Sequence, residues 1–520
     1  MLPLMEETGK KTIHGASALA LGLYVAAFFL VFHTLFLDLT RADGDTGWHL
    51  AAGRLILEQH NIPIQDPWSF TAEDTVWLNL SWAFDVFLAA GERLMGQGLF
   101  LLPQIAGAAL LTLVVVCALR LGASPPATLL AVLPLMLYLP QSLTLRPQLI
   151  TLLSAVAAYA CLRFGRSWRW PVFFLPTLTL IWVNTHGGVL LLFPILGAFA
   201  AEAILMAQWR RLGWLTFACA ICLLMLYANP LGGNLFEAMN RTMAGASRGF
   251  IDEWQPVAWG EDAVPTLWLT ISALSGALLL HKLLTPYSNT IPRLGHGIAQ
   301  LLGGGAPEAW ISAKHPRPHL ADGLLLILFF LLATTALRHV TLWMLLSLPL
   351  VARGLTQLRA LASAPGLERD LTSPRALRGA WAAMLLAALL AAFAPVSWKR
   401  QAAPAWPEEE AGWIVANLPG ALVFNHYNYG GLLIERSMGT AKVFVDGRAE
   451  TAYPGNVLLD YRRFHFMEEG WQDLPKRYGA NVILFPLNAP QTEWFRKQPG
   501  WREAHTGNVA AVLVREGDER

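Results

Sequence analysis

What most constrains this chain is a succession of apolar runs, each long enough or nearly so to cross a hydrocarbon layer, separated by mostly short polar turns. A bilayer core of about 30 Å needs about 20 apolar residues per helix, and shorter runs are tolerated inside a bundle. Such runs fall at 14–38, 97–119, 125–142, 148–162, 170–184, 188–208, 213–228, 265–284, 321–337, 340–357 and 378–397, so about eleven spans are expected. Composition agrees, because 55% of the 520 residues are hydrophobic, only 14% are charged, and mean hydropathy is +0.43. Soluble globular chains seldom combine these values. The fold class expected is therefore an α-helical polytopic membrane protein.

Basic residues orient the spans, since short cytoplasmic loops carry the excess of Lys and Arg. With Lys10 and Lys11 placed inside, the turns on that side hold Arg120; Arg163, Arg166 and Arg169; Arg210 and Arg211; Lys282 to Arg317; and Arg353 to Arg378. The opposite side receives the segment 39–96, the turn around Arg146, N-T-H-G-G at 184–188, the segment 229–264, and Arg338 with His339. Asp, His, Asn, Trp and Gly dominate there instead. The first apolar run ends without a small-residue cleavage site and reads as a signal anchor. An odd number of spans then places the N-terminus in the cytoplasm and residues 399–520 outside it. A net charge of +2, with Lys and Arg scattered over loops, gives no footprint for a nucleic-acid partner.

The domain organisation that follows is a transmembrane domain over 1–398, with outer loops 39–96 and 229–264 and a Gly/Pro-rich cytoplasmic loop at 285–320, then a soluble domain over 399–520. In the latter, short β-like runs at A-L-V-F-N, K-V-F-V-D, N-V-I-L-F and A-A-V-L-V alternate with helical stretches. They predict a small α/β domain with three to five strands. Cys117, Cys161, Cys219 and Cys222 all lie in apolar runs. Although Cys219 and Cys222 form a C-x-x-C, it lacks a second ligand pair and reads as packing.

Candidate chemistry gathers on the outer side. Asp43 and Asp45 flank a glycine, and two carboxylates so placed can converge on one cation or one hydroxyl; the same D-G-D also reads as the N-cap of a helix T-G-W-H-L-A-A-G. His49 follows Asp45 by one turn on the same helical face, as a ligand or as a structural hydrogen-bonding group. Trp68, Trp77 and Trp82 read as interfacial anchors or as stacking surfaces for sugar rings. Near hydrocarbon a guanidinium is costly, so Arg146 and Arg338, the latter beside His339, suit a phosphate, a protein carboxylate or snorkelling. His186 stands in a tight glycine turn between two spans, and Asp252 with Glu253 pairs carboxylates beside an aromatic. The soluble domain offers F-N-H-Y-N-Y-G-G, with Asn425, Tyr427 and Asn428 where a strand should end. No G-x-G-x-x-G, Walker A or G-x-S-x-G motif is present, so no nucleotide cofactor is expected.

The succession D-G-D-T-G-W-H-L-A-A-G, I-P-I-Q-D-P-W-S-F-T, W-L-N-L-S-W, N-T-H-G-G, N-P-L-G-G, R-H-V, N-Y-G-G and V-D-G-R resembles bacterial membrane proteins related to the GT-C-type glycosyltransferases, over most of the chain. That group stands beside the protein mannosyltransferases, the lipid A aminoarabinose transferases and the oligosaccharyltransferase catalytic subunits. The resemblance implies a GT-C-like fold in the bacterial inner membrane and an acid in the first outer loop that serves the acceptor or a metal, matched here by Asp45 with Asp43 as rival. It also implies a basic residue for the lipid phosphate, matched by Arg338, with Arg146 and His339 near it. His49, His186, Asp252, Glu253 and Trp82 remain for acceptor or sugar. A divalent cation stays open, with Asp43 and Asp45 as its ligands. The oligosaccharyltransferase W-W-D-Y-G signature is absent from the C-terminal domain.

The expected activity is transfer of a sugar from a polyprenyl-phosphate-linked donor to a glycan, lipid or protein acceptor outside the cytoplasm, where nucleotide-sugars are not available. A surface-polysaccharide polymerase or ligase is the alternative enzyme. A membrane transporter or scaffold is the alternative from another class.

Overall fold

The computed structural model describes residues 18–31, 43–284, 320–356, 382 and 406–517, apart from positions 74, 166 and 168. The predicted span 378–397 and the loop 285–320 lie essentially outside these residues. Each of the other ten apolar runs coincides with a helix. In chain order the helices are α1 (Ala18–Val31), α2 (Gly44–Gln59), α3 (Trp82–Met95), α4 (Leu102–Arg120), α5 (Pro125–Tyr138), α6 (Gln148–Phe164) and α7 (Trp170–Thr185). They continue with α8 (Leu192–Leu205), α9 (Trp209–Met225), α10 (Asn234–Ala244), α11 (Ala263–Leu284), α12 (Leu320–Ala333) and α13 (Val340–Leu355). Among the described residues two stretches, Gly98–Arg120 and Gly187–Leu205, are long and apolar enough to cross a membrane by length and composition, and several other helices are shorter and apolar.

Proline marks where several of these helices start. Pro125 and Pro171 open α5 and α7, and Pro147 directly precedes α6, positions where a missing N–H costs nothing. Pro194 lies in the first turn of α8. Pro134, Pro176 and Pro349 sit inside helices and are buried, where neighbouring helices accommodate the lost backbone bond. α13 is the central rod, buried along nearly all its length, and α4, α5, α6, α11 and α12 pack on it.

After the bundle come α14 (Glu408–Asn417), β1 (Leu422–Asn425), α15 (Gly430–Ser437), β2 (Lys442–Val443), α16 (Gly455–His465), α17 (Leu474–Arg477), β3 (Val482–Pro486), α18 (Pro490–Phe495), β4 (Trp501–Thr506) and β5 (Ala510–Arg515). The five strands form one sheet in the order β2-β1-β3-β5-β4. β1 pairs in parallel with β2 and β3, and β5 is antiparallel to both β3 and β4. The sequence pattern missed β4, because W-R-E-A-H-T is a charged edge strand with no continuous apolar face.

The segment between α2 and α3 is built into this domain. Val443 donates to the carbonyl of Trp68 (2.9 Å) and Phe70 donates to that of Val443 (3.2 Å), so W-S-F extends the sheet beyond β2. Trp68 and Trp77, expected at the lipid interface or on a sugar, are each only 2% exposed and belong to the same core as β1, β3 and β5. The buried guanidinium of Arg448 lies beside both rings, about 5 Å from each centroid. It donates to Asp66 at 2.6 and 3.1 Å and to Asp446 at 2.7 and 2.9 Å. Tyr453 donates to Asp446 as well. One cation thus closes the Q-D-P-W turn onto the V-D-G-R loop.

Candidate functional site

At the bundle end that carries this domain, turns distant in sequence meet. Asp43 caps α2 by accepting from the Asp45 N–H (2.9 Å), which is the cap reading of D-G-D, and both carboxylates also face one guanidinium. Arg146, in the turn between α5 and α6, reaches Asp45 at 2.7 Å and Asp43 at 3.4 Å. It also forms a two-pronged pair with Glu253 at 3.1 and 3.3 Å. Arg338 comes from the turn between α12 and α13, lies 3.5 Å from Glu253, and stacks 4.2 Å over the ring of Trp254. His339 sets its ring edge against the same Trp254 and shares a hydrogen bond with the Leu332 carbonyl.

The cluster holds three carboxylates against two guanidiniums, and each of these side chains keeps part of its surface open. Burial would raise the Glu253 carboxyl, but Arg146 and Arg338 outweigh it and hold it at about 2. For Asp43 burial wins, helped by the neighbouring Asp45, and its carboxyl is raised despite Arg146. Burial would lower Arg146, yet the three carboxylates hold it well above the ordinary arginine value. Burial lowers Arg338 from the ordinary arginine value, opposed by Glu253, but arginine keeps its proton, so both guanidiniums are cations and Glu253 is an anion at neutral pH.

His186 borders this cluster. Its Nδ1 accepts from the Gly188 N–H (3.1 Å), which leaves Thr151 as the donor in their 2.7 Å contact. The Thr151 oxygen in turn accepts from Trp182 Nε1 (2.8 Å). The ring proton is thereby placed on Nε2. Burial first, then the charges of Arg338 and Arg146, holds the imidazole neutral, with its pKa at about 3. Burial and Arg338 likewise bring His339 down to about 4.

Three other candidates take different places. His49 shares a 2.6 Å hydrogen bond with Asp85, whose second oxygen accepts from Asn79 at 2.8 Å, and all three are buried at the junction of α2 and α3. Its link to the cluster is indirect, through Trp48, which stacks on it and donates to Asp45 (3.2 Å). Trp82 donates instead to Asn184 (3.0 Å), fastening α3 to α7. Asp252 is exposed and pairs with none of the guanidiniums, its chain neighbour Glu253 doing so instead.

The C-terminal domain completes the site. A methyl at Gly447, in V-D-G-R, would lie 1.6 Å from an Asp45 carboxylate oxygen, so the loop backbone presses directly on that acid. α2 and α15 cross with their glycines touching: a methyl on Gly47 would meet the Gly431 carbonyl at 2.4 Å, and one on Gly431 the Gly44 carbonyl at 2.0 Å. Tyr427, at the end of β1, is close enough for Asp45 to act on it, and burial followed by that charge drives its phenol well above the ordinary range. Glu450 accepts from the N–H and hydroxyl of Ser247, both at 2.8 Å, fixing the segment that leads to Glu253. The sequence signalled Gly447 only as part of a motif, since nothing local shows which acid a glycine clears.

Among the described residues no three or more His, Cys, Asp or Glu side chains are arranged to hold a metal ion. Asp43 and Asp45, the metal candidates, are turned on Arg146.

No protein-family profile and no curated protein matches the sequence. The fold does match solved structures. ArnT from Cupriavidus metallidurans, bound to undecaprenyl phosphate, aligns with a TM-score of 0.51 at 14% identity, over 95% of this chain and 98% of its own. Its apo form gives 0.51 at 12% identity, over 95% and 97%. The Archaeoglobus fulgidus oligosaccharyltransferase in the apo form gives 0.50 at 12% identity, over 89% of this chain and 69% of that one. The chain shares the fold of these structures. At 12–14% identity the likeness is one of architecture. At 95% coverage the alignment takes in most of both the bundle and the C-terminal domain.

Proposed function

We propose that this protein is a membrane glycosyltransferase that moves a sugar from a polyprenyl-phosphate-linked donor to an acceptor on the extracytoplasmic side. The observation that carries the reading is the cluster itself: a carboxylate, Asp45, held 2.7 Å from Arg146, with Arg338 joined to the same network through Glu253. The fold shared with ArnT, which has been solved with undecaprenyl phosphate bound, supports it.

In this reading the acceptor oxygen attacks the anomeric carbon, and the bond from that carbon to the phosphate oxygen breaks. The leaving phosphate keeps the electron pair and is neutralised by Arg146 and Arg338. Asp45 takes the acceptor proton. At rest Arg146 is engaged by three carboxylates, so phosphate and Asp45 compete for it. Donor binding thereby frees Asp45 to act as base, and donor precedes acceptor. His186 offers its Nε2 proton to the sugar or phosphate.

The test is transfer from a radiolabelled polyprenyl-phosphate sugar by the reconstituted chain, with cell-envelope material as acceptor source. Asp45→Asn and Arg338→Ala should abolish it while the variants stay folded. Full transfer by both variants would refute the assignment. A long-chain product would move it to the polysaccharide polymerases, and absence of transfer by the unmodified chain would move it to a transporter or scaffold.

A further inference from the structure

At the opposite end of the bundle five helices bring charged side chains into one buried group: Arg163 (α6), Glu202 (α8), Arg211 (α9), Asp322 (α12) and Arg353 (α13). Glu202 accepts from Arg163 at 3.0 and 3.2 Å, from Arg211 at 2.9 Å and from the Ala321 N–H at 2.9 Å. Asp322 lies against Arg163 at 2.9 and 3.2 Å and accepts from the Tyr159 hydroxyl at 2.8 Å. Both carboxylates are thus engaged by Arg163, Arg211, Tyr159 and a backbone amide.

Arg353 adds a third guanidinium, near enough for the charges of Asp322 and Arg163 to act on it. Its Nη1 is buried and, among the described residues, has no hydrogen-bond partner. Among the described residues this group sets three cations beside two anions. Arginine does not shed its proton, so a half-buried guanidinium with a buried N–H favours an anion beside it. The fork of N–H donors suits a phosphate oxygen pair. Exposed indoles at the same end, Trp170 (52%) and Trp209 (61%), mark the depth that aromatic rings adopt beside lipid headgroups. On the basic-side rule this end faces the cytoplasm, where anionic lipids concentrate.

We propose that Arg353 and the Arg163–Asp322 pair beside it hold the phosphate of an anionic phospholipid of the cytoplasmic leaflet, which ties α6, α12 and α13 together. The inference rests on the bundle spanning a membrane and is independent of sugar transfer, since Arg353 lies at the far end of α13 from Arg338. The purified full chain is placed in phosphatidylcholine nanodiscs with or without phosphatidylglycerol, or with millimolar inorganic phosphate, and its thermal unfolding is followed. Phosphatidylglycerol should raise Tm by several degrees, inorganic phosphate should not, and Arg353→Gln should lose more than half of the rise. An equal rise in the variant, no rise at all, or the same rise with inorganic phosphate would each overturn the proposal. Should the variant fail to fold, native mass spectrometry of the unmodified chain decides. One phosphatidylglycerol retained through detergent exchange supports the site, and no retained lipid overturns it.

Discussion

At the scale of single residues, the site is a competition for Arg146. Asp45 and Asp43 were legible as a candidate acid pair because D-G-D opens a helix directly after an apolar run, and Arg146 and Arg338 because guanidinium groups seldom stand beside hydrocarbon without a purpose. What could not be read was the pairing: positions 43, 146, 253 and 338 lie about a hundred residues apart, and only the packing of their four segments joins them. Of the two readings of His49, the structure shows the hydrogen-bonding one. The i, i+4 spacing put it near Asp45, but Asp85 on the adjacent helix draws its ring away. Two substitutions probe this scale. Asp45→Asn keeps the shape and removes the base, and should lower turnover by about 100-fold or more. Gly447→Ala introduces a methyl where the Asp45 carboxylate sits and should lower turnover by about 10-fold or more while the chain still folds, because small displacements of a reacting group are costly. Wild-type turnover in the Gly447 variant would show that the loop does not position the acid.

At the scale of elements, the V-D-G-R-A-E loop is the hub. Asp446 and Arg448 lock the first outer segment, Gly447 abuts Asp45, and Glu450 holds the segment before Glu253. Arg448→Ala would strand two buried carboxylates, and unfolding of the domain should become easier by about 3–5 kcal/mol, measurable by denaturant titration followed through tryptophan fluorescence. A loss under 1 kcal/mol would mean that solvent reaches the pair. The helices of the ten described apolar runs and four of the five strands were legible because their apolar pattern is set by the cores they fill. The tryptophans of the first outer segment were not, because an indole at a lipid interface and one in a protein core give the same letter. Trp68 and Trp77 became core residues only because the sheet continues into W-S-F and Arg448 needs two ring faces.

At the scale of the whole molecule, acid should loosen the structure earlier than carboxylates alone would. His186 and His426 are held neutral down to about 3, and His339 down to about 4, burial being the main cause in each. Unfolded, each binds a proton near pH 6.5, so the unfolded state gains protons first. The stability due to these three is complete above about pH 6.5 and falls as the pH drops towards 3, with Glu253 adding to the loss below about 4.5. The melting temperature in detergent should fall steadily from pH 7 to pH 4.5, and a constant value over that range would contradict the burial of neutral imidazoles. The central claim, that this end of the bundle receives a lipid phosphate, is open to a more direct measurement: titration of undecaprenyl phosphate onto the purified chain. Arg338→Ala should weaken binding by at least about 10-fold, the loss expected of a charge-assisted pair worth 1.4 kcal/mol or more. Asp45→Asn should bind as well as the unmodified chain or better, because Arg146 then has one rival fewer. Equal affinity in the unmodified chain and the Arg338 variant would contradict the assignment of this cluster to the donor phosphate.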